Sequence, residues 1–364
     1  MTAWVLMTAA ALPHAAAREG DPFEFRSGVV VDAGKRFAYL MSTAGGIDAL
    51  DLRTGRAVWT AETGERPLLL LGHTLVAQAT MQDRGNILRL VLLDAERSGA
   101  RRNQIDVELP EEVRATVDDG PGTAFRVRAW PTPHGMALAW TYSALAIRAM
   151  PGGPPEHVRE GTARINLETG KVVTSKSGAR TELSTPMPAK LARLSETGSV
   201  PGPLWRSGDA YVSVARIRES GAERAVLKRW RAVNGDPLPE VELYRGKYTI
   251  RYPSADQLHL LVSRLDRAAS QPAEQYEWLI FSLSTGEQVA KLHRSIPAAW
   301  FFISESLLVH EAQPEERIEN EHRSEKPRSM RAIDLRTGVE RWVWPLRDTA
   351  YHGPLPPGRR SGMP

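Results

Sequence analysis

The sequence contains no cysteine. Disulfides, thiolate metal sites, thiol catalysis and an acylated lipoprotein cysteine are excluded with it. The absence chooses no compartment, because disulfide-free proteins occur on both sides of a membrane. The apolar run Trp4 to Leu12 is too short to cross a bilayer. A surplus of one charge is missing too: 47 Lys and Arg stand against 43 Asp and Glu, for a net +4. The basic residues are dispersed beside acidic ones, which argues for solvated faces and against a nucleic-acid partner. Catalytic signatures are also lacking. The nine histidines include no His-x-x-x-His or His-x-His pair, so a zinc site lacks its usual spacing. No Gly-x-Ser-x-Gly, Walker loop or dinucleotide-binding glycine loop occurs. Asp118-Asp119-Gly120 lacks the remaining ligand spacing of a calcium loop and reads as a polar turn. Helical periodicity is confined to Pro188 to Ser195, so the chain is expected to be all-β.

What is present is a repeat. Six segments share an apolar strand, a tight turn ending in Gly, and a second strand. They end at Gly55, Gly99, Gly170, Gly235, Gly286 and Gly338. The Asp or Asn that opens most of these turns can accept backbone N–H bonds, and Gly closes the turn without a Cβ clash. Asp51 and Asp334 are therefore turn formers rather than catalytic carboxylates. Ahead of each turn lie two more strand-like runs, such as Val29-Val30-Val31 and Arg36 to Met41 in the first copy. Strand, strand, strand, Gly turn, strand makes one four-stranded blade, and such blades close radially into a β-propeller. Six blades are recognised. The long gaps before Gly170 and Gly235 leave room for a degenerate seventh.

Several segments interrupt the repeat. Met150 to Gly161 and Lys176 to Pro203 are rich in Pro and Gly, and Gln313 to Lys326 is strongly charged; all three are expected to be loops. Residues 1–17 read as a secretory signal peptide with a small-residue site at Ala15 and Ala17, although no Lys or Arg precedes the apolar run. This predicts a periplasmic or secreted protein, with a cytoplasmic protein as the alternative. Residues 18–348 form the propeller, and the Pro/Gly/Arg-rich stretch 349–364 is expected to be a disordered tail. Lone strand histidines such as His259 and His310 are expected to be structural. So are the tryptophans Trp130, Trp140, Trp205, Trp230, Trp278 and Trp300, as core residues.

The copies Ala49 to Trp59 (ALDLRTGRAVW) and Ala332 to Trp342 (AIDLRTGVERW) resemble the PQQ-like propeller repeat, with its Ala-x-Asp-x-x-Thr-Gly-x-x-x-Trp signature. The resemblance implies that Trp59 and Trp342 dock neighbouring blades, with Gly55, Gly170, Gly286 and Gly338 closing the turns. The family includes quinoprotein dehydrogenases, whose eight-bladed rings resemble one another in placing a Cys pair over the cofactor. It also includes non-enzymatic members such as the scaffold of the outer-membrane barrel assembly machinery. Without cysteine and with six blades, this chain is expected to follow the second kind. That implies no catalytic residues, no cofactor and no metal, and a protein partner that can belong to a membrane-bound complex. The alternatives are a quinoprotein-like dehydrogenase, or a carbohydrate- or peptide-binding propeller that uses its central funnel.

Overall fold

The computed structural model describes residues 21–80, 85–118, 123–144, 157–175, 187–219, 222–266, 275–295, 300–319 and 322–347. The first sheet holds β1 (Phe23–Arg26), β2 (Val29–Val31), β3 (Phe37–Met41), β4 (Ile47–Asp51) and β5 (Arg56–Ala61) in that order. The second holds β6 (Arg66–Leu71), β7 (Thr74–Ala79), β8 (Ile87–Asp94) and β9 (Arg101–Glu108). The third holds β10 (Thr123–Thr132), β11 (Gly135–Ala144), β12 (His157–Asn166) and β13 (Val172–Ser175). After helix α1 (Ala189–Glu196) comes the fourth, β14 (Trp205–Ser207), β15 (Ala210–Glu219), β16 (Ala222–Arg231) and β17 (Pro237–Arg245). The fifth holds β18 (Thr249–Pro253), β19 (His259–Leu265), β20 (Tyr276–Ser282) and β21 (Gln288–Arg294). In the sixth, β22 (Phe301–Ser304) and β23 (Leu307–Ala312) precede a separate hairpin, β24 (Glu315–Glu319) and β25 (His322–Lys326). The sheet resumes with β26 (Ser329–Asp334) and β27 (Glu340–Pro345).

Each sheet is an antiparallel meander, and the six are the blades of a β-propeller. The first strands lie innermost, since β6 packs on both β2 and β10. The last strands lie outermost, and β5, β9 and β27 leave many of their residues exposed. Apolar residues of neighbouring blades interlock in shared cores: Leu90 and Val107 of the second with Phe125 and Leu138 of the third, and Leu227 of the fourth with Leu260 and Phe281 of the fifth.

Three features depart from the sequence-based expectation. First, β1 is an additional strand inside β2. Its Phe23 and Phe25 pack edge-on against Phe302 of β22, with ring centroids 5.4 and 5.1 Å apart. Glu24, between them, faces Arg128 of β10 and Arg66 of β6; burial raises its carboxyl above the ordinary value against the pull of both cations. β1 thus lies on the inner side of the first blade, against the second and the sixth. Second, the charged segment 313–326 forms the hairpin β24–β25 rather than a plain loop, and the Pro/Gly-rich segment 150–161 ends in strand, since β12 starts at His157. Third, Trp300 is 38% exposed, not core, whereas Trp140, Trp230 and Trp278 are buried. The helix lies one residue later than the pattern suggested. The leader read at 1–17 and the tail at 349–364 lie outside the described residues.

Candidate functional site

A meander gives each blade two ends, and the connections divide sharply between them. One end carries the turn between first and second strands and the Gly turn between third and fourth. No connection there exceeds six residues, the longest being 95–100. The other end carries the links between second and third strands and between successive blades. It takes the connections 109–122, 145–156, 266–275, the hairpin-bearing 313–328, and 176–204 with α1. Cross-blade contacts align the ends around the ring. On the short-turn side, Ser304 Oγ donates to Lys35 O at 2.5 Å, and Lys35 Nζ lies 2.5 Å from Asp256 Oδ2, joining turns of the sixth, first and fifth blades. On the other side Arg347 pairs with both Asp118 and Glu65. The protein thus has a short-turn face and an insertion face.

The Gly turns share one geometry. In all six, the Gly N–H donates to the carbonyl of the residue that opens the turn, at 2.8–3.1 Å. The Asp51, Asp94, Asn166 and Asp334 side chains also accept N–H bonds within their turns. Arg341 beside Asp334 holds that carboxyl well below the usual range. At Gly235 and Gly286 the turn is opened by Arg231 and Ser282, so the backbone bond survives without the carboxylate.

These turns receive the outer strand of the preceding blade. Trp342 Nε1 donates to Leu52 O at 2.8 Å, and its side chain covers Gly55, where a Cβ would sit 2.5 Å from Trp342 Cβ. Trp59 Nε1 donates to Ala95 O at 3.1 Å, and its ring covers Gly99. Val241 covers Gly286. Leu292 approaches Gly338, whose carbonyl accepts from Arg294 Nη2 at 3.0 Å. A Cβ on Gly170 would meet none of the described residues within 4 Å. At Gly235 the packing comes from Pro188 and Leu191, so α1 takes the place of an outer strand. The Gly235 copy has no Asp, Asn or Ser to open its turn, and the glycine at the repeat position was the signal that marked it.

Trp342 joins the last blade to the first, and other groups reinforce that seam. The buried Glu311 carboxylate lies 2.8 Å from Arg26 Nη1 and 3.3 Å from Arg328 Nε. Arg66, also buried, donates to the carbonyls of Phe125 and Val117, tying the second blade to the third. His310 stands edge-on to Trp278 with centroids 5.7 Å apart, and burial pushes its pKa down to about 4. A neutral, buried imidazole is a packing group. His259 is likewise held below its ordinary value by burial. Among the described residues no group of three or more His, Asp or Glu is placed to hold a metal ion.

The insertion face is where polar groups converge at a seam between blades. Tyr248 OH donates to Glu277 Oε1 at 2.5 Å, with Arg264 at 3.1 Å and Lys291 at 3.3 Å from the same carboxylate's other oxygen. Arg264 also stacks over the Tyr248 ring, and burial together with Glu277 pushes the Tyr248 phenol up to about 12. On the facing side of the fourth blade stand Tyr244, Arg216, Arg218 and Glu223.

No protein-family model matches the sequence, and no curated protein matches it. Solved structures do resemble it at low identity. The Dos1 propeller is 10% identical with a TM-score of 0.26, over 85% of this chain and 66% of that one. A europium-containing methanol dehydrogenase is 11% identical with a TM-score of 0.23, over 85% of this chain and 67% of that one. The Cps50 (Swd1) β-propeller domain of Myceliophteria thermophila is 11% identical with a TM-score of 0.25, over 85% of this chain and 83% of that one. The propeller assignment stands on the six meanders of this chain and on the contacts between them.

Proposed function

We propose that this chain is a PQQ-like propeller of the non-enzymatic kind, exported from the cytoplasm, that holds a protein partner on its insertion face. The observation that carries this reading is the segregation of connections: every long one opens on one face, and the opposite face has only short turns. In repeat folds, insertions that accumulate on one side of a rigid framework are the usual means of partner contact. The innermost strand supports the same reading. β1 adds a strand on the inner side of the first blade, with Phe23 and Phe25 against Phe302, which narrows the space a funnel ligand would need. The repeat match at Ala49 to Trp59 and Ala332 to Trp342, without cysteine, favours the scaffolding branch of the family over the dehydrogenases.

A photo-cross-linking residue placed at Gln313 on the insertion face should trap a partner in cells, and one placed at Arg53 on the short-turn face should not. Equal trapping from both positions would overturn the reading. Incubation with pyrroloquinoline quinone and Ca²⁺ should give no quinone absorbance and no dye reduction with alcohols. N-terminal sequencing of the mature protein should begin after Ala17, and an intact N-terminus in the cytoplasm would sink the export proposal.

A further inference from the structure

The seam between the fourth and fifth blades repeats one arrangement of side chains twice. Tyr248, Arg264 and Lys291 converge on the Glu277 carboxylate, of which only 5% is exposed. Across the seam, Arg216, Ala225 and Tyr244 lie opposite one another on β15, β16 and β17, and Arg218 lies opposite Glu223 one row further out. Ala225 is small and fully buried, so the Arg216 guanidinium comes beside the Tyr244 hydroxyl over it. The two tyrosine rings touch, with centroids 4.7 Å apart. The second set therefore has the tyrosine and the two cations of the first.

The sets differ in their carboxylate. Glu277 sits in hydrogen-bond contact with its tyrosine. Glu223 stands off, 3.6 Å from Arg218 and 4.0 Å from Arg216. Tyr244 is 7% exposed, and its OH finds no hydrogen-bond acceptor among the described residues, the group beside it being the donor Arg216. Arginine has no acceptor to offer, so the phenolic proton needs an oxygen from elsewhere. A shielded donor beside one cation, with a second cation one row further out, is an arrangement suited to an anionic acceptor. The cations remain open to solvent: the side chains of Arg216, Arg218, Arg264 and Lys291 are 47%, 82%, 45% and 50% exposed, against the carboxylates of Glu223, Glu277 and Asp266. On the other side of the fourth blade the charges close on themselves, Arg224 with Glu219 and Glu242, and Arg245 with Glu242.

We infer that the mouth of this seam binds the carboxylates of an acidic peptide segment, with Tyr244, Arg216 and Arg218 doing for a partner's Asp or Glu what Tyr248, Arg264 and Lys291 do for Glu277. The inference rests on the reading of the insertion face as the partner face, and it names the partner's chemistry. It is tested on the full chain by fluorescence anisotropy of labelled hexaglutamate at low ionic strength. Saturable binding is expected, stronger than that of hexaglutamine. Tyr244→Phe and Arg216→Gln should each weaken it about tenfold, the worth of one charge-assisted hydrogen bond. Arg53→Gln on the short-turn face should leave it unchanged. The thermal midpoint of Tyr244→Phe should stay level, since the hydroxyl removed donates to no acceptor among the described residues. Hexaglutamate bound no better than hexaglutamine overturns the inference. So does a Tyr244→Phe variant that loses stability and keeps full binding, or a single-stranded oligonucleotide of equal charge that binds more tightly than the peptide. Trapping of a partner from Gln313 without hexaglutamate binding fails this inference alone. Hexaglutamate binding with equal trapping from both faces fails the reading of the face alone.

Discussion

The seam between the sixth and first blades and the seam between the third and fourth do the same job by different means. The first joins residues as far apart in sequence as Leu52 and Trp342. It uses the indole bond, the Phe23, Phe25 and Phe302 cluster, Glu311 between Arg26 and Arg328, and the bond from Ser304 to Lys35. The second joins blades that are consecutive in the chain. There α1 lies against Gly235, with Leu191 buried beside Val200, Tyr211 and Trp230. Bringing the two ends of a long chain together carries a loop-closure cost that no peptide connection offsets. The closing seam accordingly has the fullest copies of the motif, at Gly55 and at Trp342. Consecutive blades are already held close by their linker, so the motif at Gly235 has been free to decay while a helix supplies the packing.

The largest effect should follow from breaking the closing seam. Trp342→Ala removes a buried indole and its bond to Leu52, and about 4 kcal/mol of stability should be lost in urea unfolding. Gly55→Ala should cost about as much, because φ is +68° and a Cβ would drive into Trp342. Hydrogen exchange in either variant should open the first and sixth blades ahead of the third and fourth. Uniform opening would mean that the two seams are not independent. At the other seam Leu191→Ala should cost about 3 kcal/mol, the usual loss for a buried leucine. Protection should then fall first in β15 and β16. If Leu191→Ala proves as silent as a surface change, α1 is a decoration and the fourth blade is held by its neighbour on the fifth side.

The contrast also explains what could be read from the chain. The six Gly turns, the order of strands and the short helix were legible because each is local: a turn needs its own Gly and acceptor, and a strand needs its own alternation. Trp59 and Trp342 were marked because the motif repeats around them. β1 was not, because Phe-Glu-Phe-Arg is four residues long and its partners, Phe302, Arg66 and Arg128, lie at distant points of the sequence. The hairpin β24–β25 was hidden by its charge, which reads as loop. The Tyr244 and Tyr248 sets were invisible for a different reason. Arg216, Tyr244, Arg264 and Glu277 become neighbours only when two blades face each other, and single charged residues on strands carry no mark of the side to which they point.

His310 tests a seam by pH rather than by truncation. Its pKa falls from an ordinary 6.5 to about 4, chiefly through burial and further through Arg294 and Arg331, while its bond to the Glu311 carbonyl opposes the fall. The unfolded chain therefore takes up a proton first as pH drops. Stability from this group is complete above about pH 6.5 and is lost progressively down to about pH 4. The loss is about 3 kcal/mol, because the gap between the unfolded and folded pKa carries about 1.4 kcal/mol for each pH unit it spans. His310→Phe should flatten that part of the acid limb and leave the pH 7 to 8 plateau in place. An unchanged acid limb would show that His310 is solvated in the folded protein.

The smallest effect belongs to Gly170→Ala, and it is the most informative partner to Gly55→Ala. Both glycines have φ of +68° and donate to the carbonyl that opens the turn, at 2.9 Å and 2.8 Å. They differ chiefly in surroundings: Gly55 lies under Trp342, and no described residue stands within 4 Å of a Cβ at Gly170. The backbone strain of an L-residue at positive φ, about 1 kcal/mol, should be the whole cost at Gly170. The excess at Gly55 then measures how tightly the last blade is seated on the first. Equal costs at the two positions would mean that the glycine serves the turn everywhere and that blade docking relies on the indole bond alone.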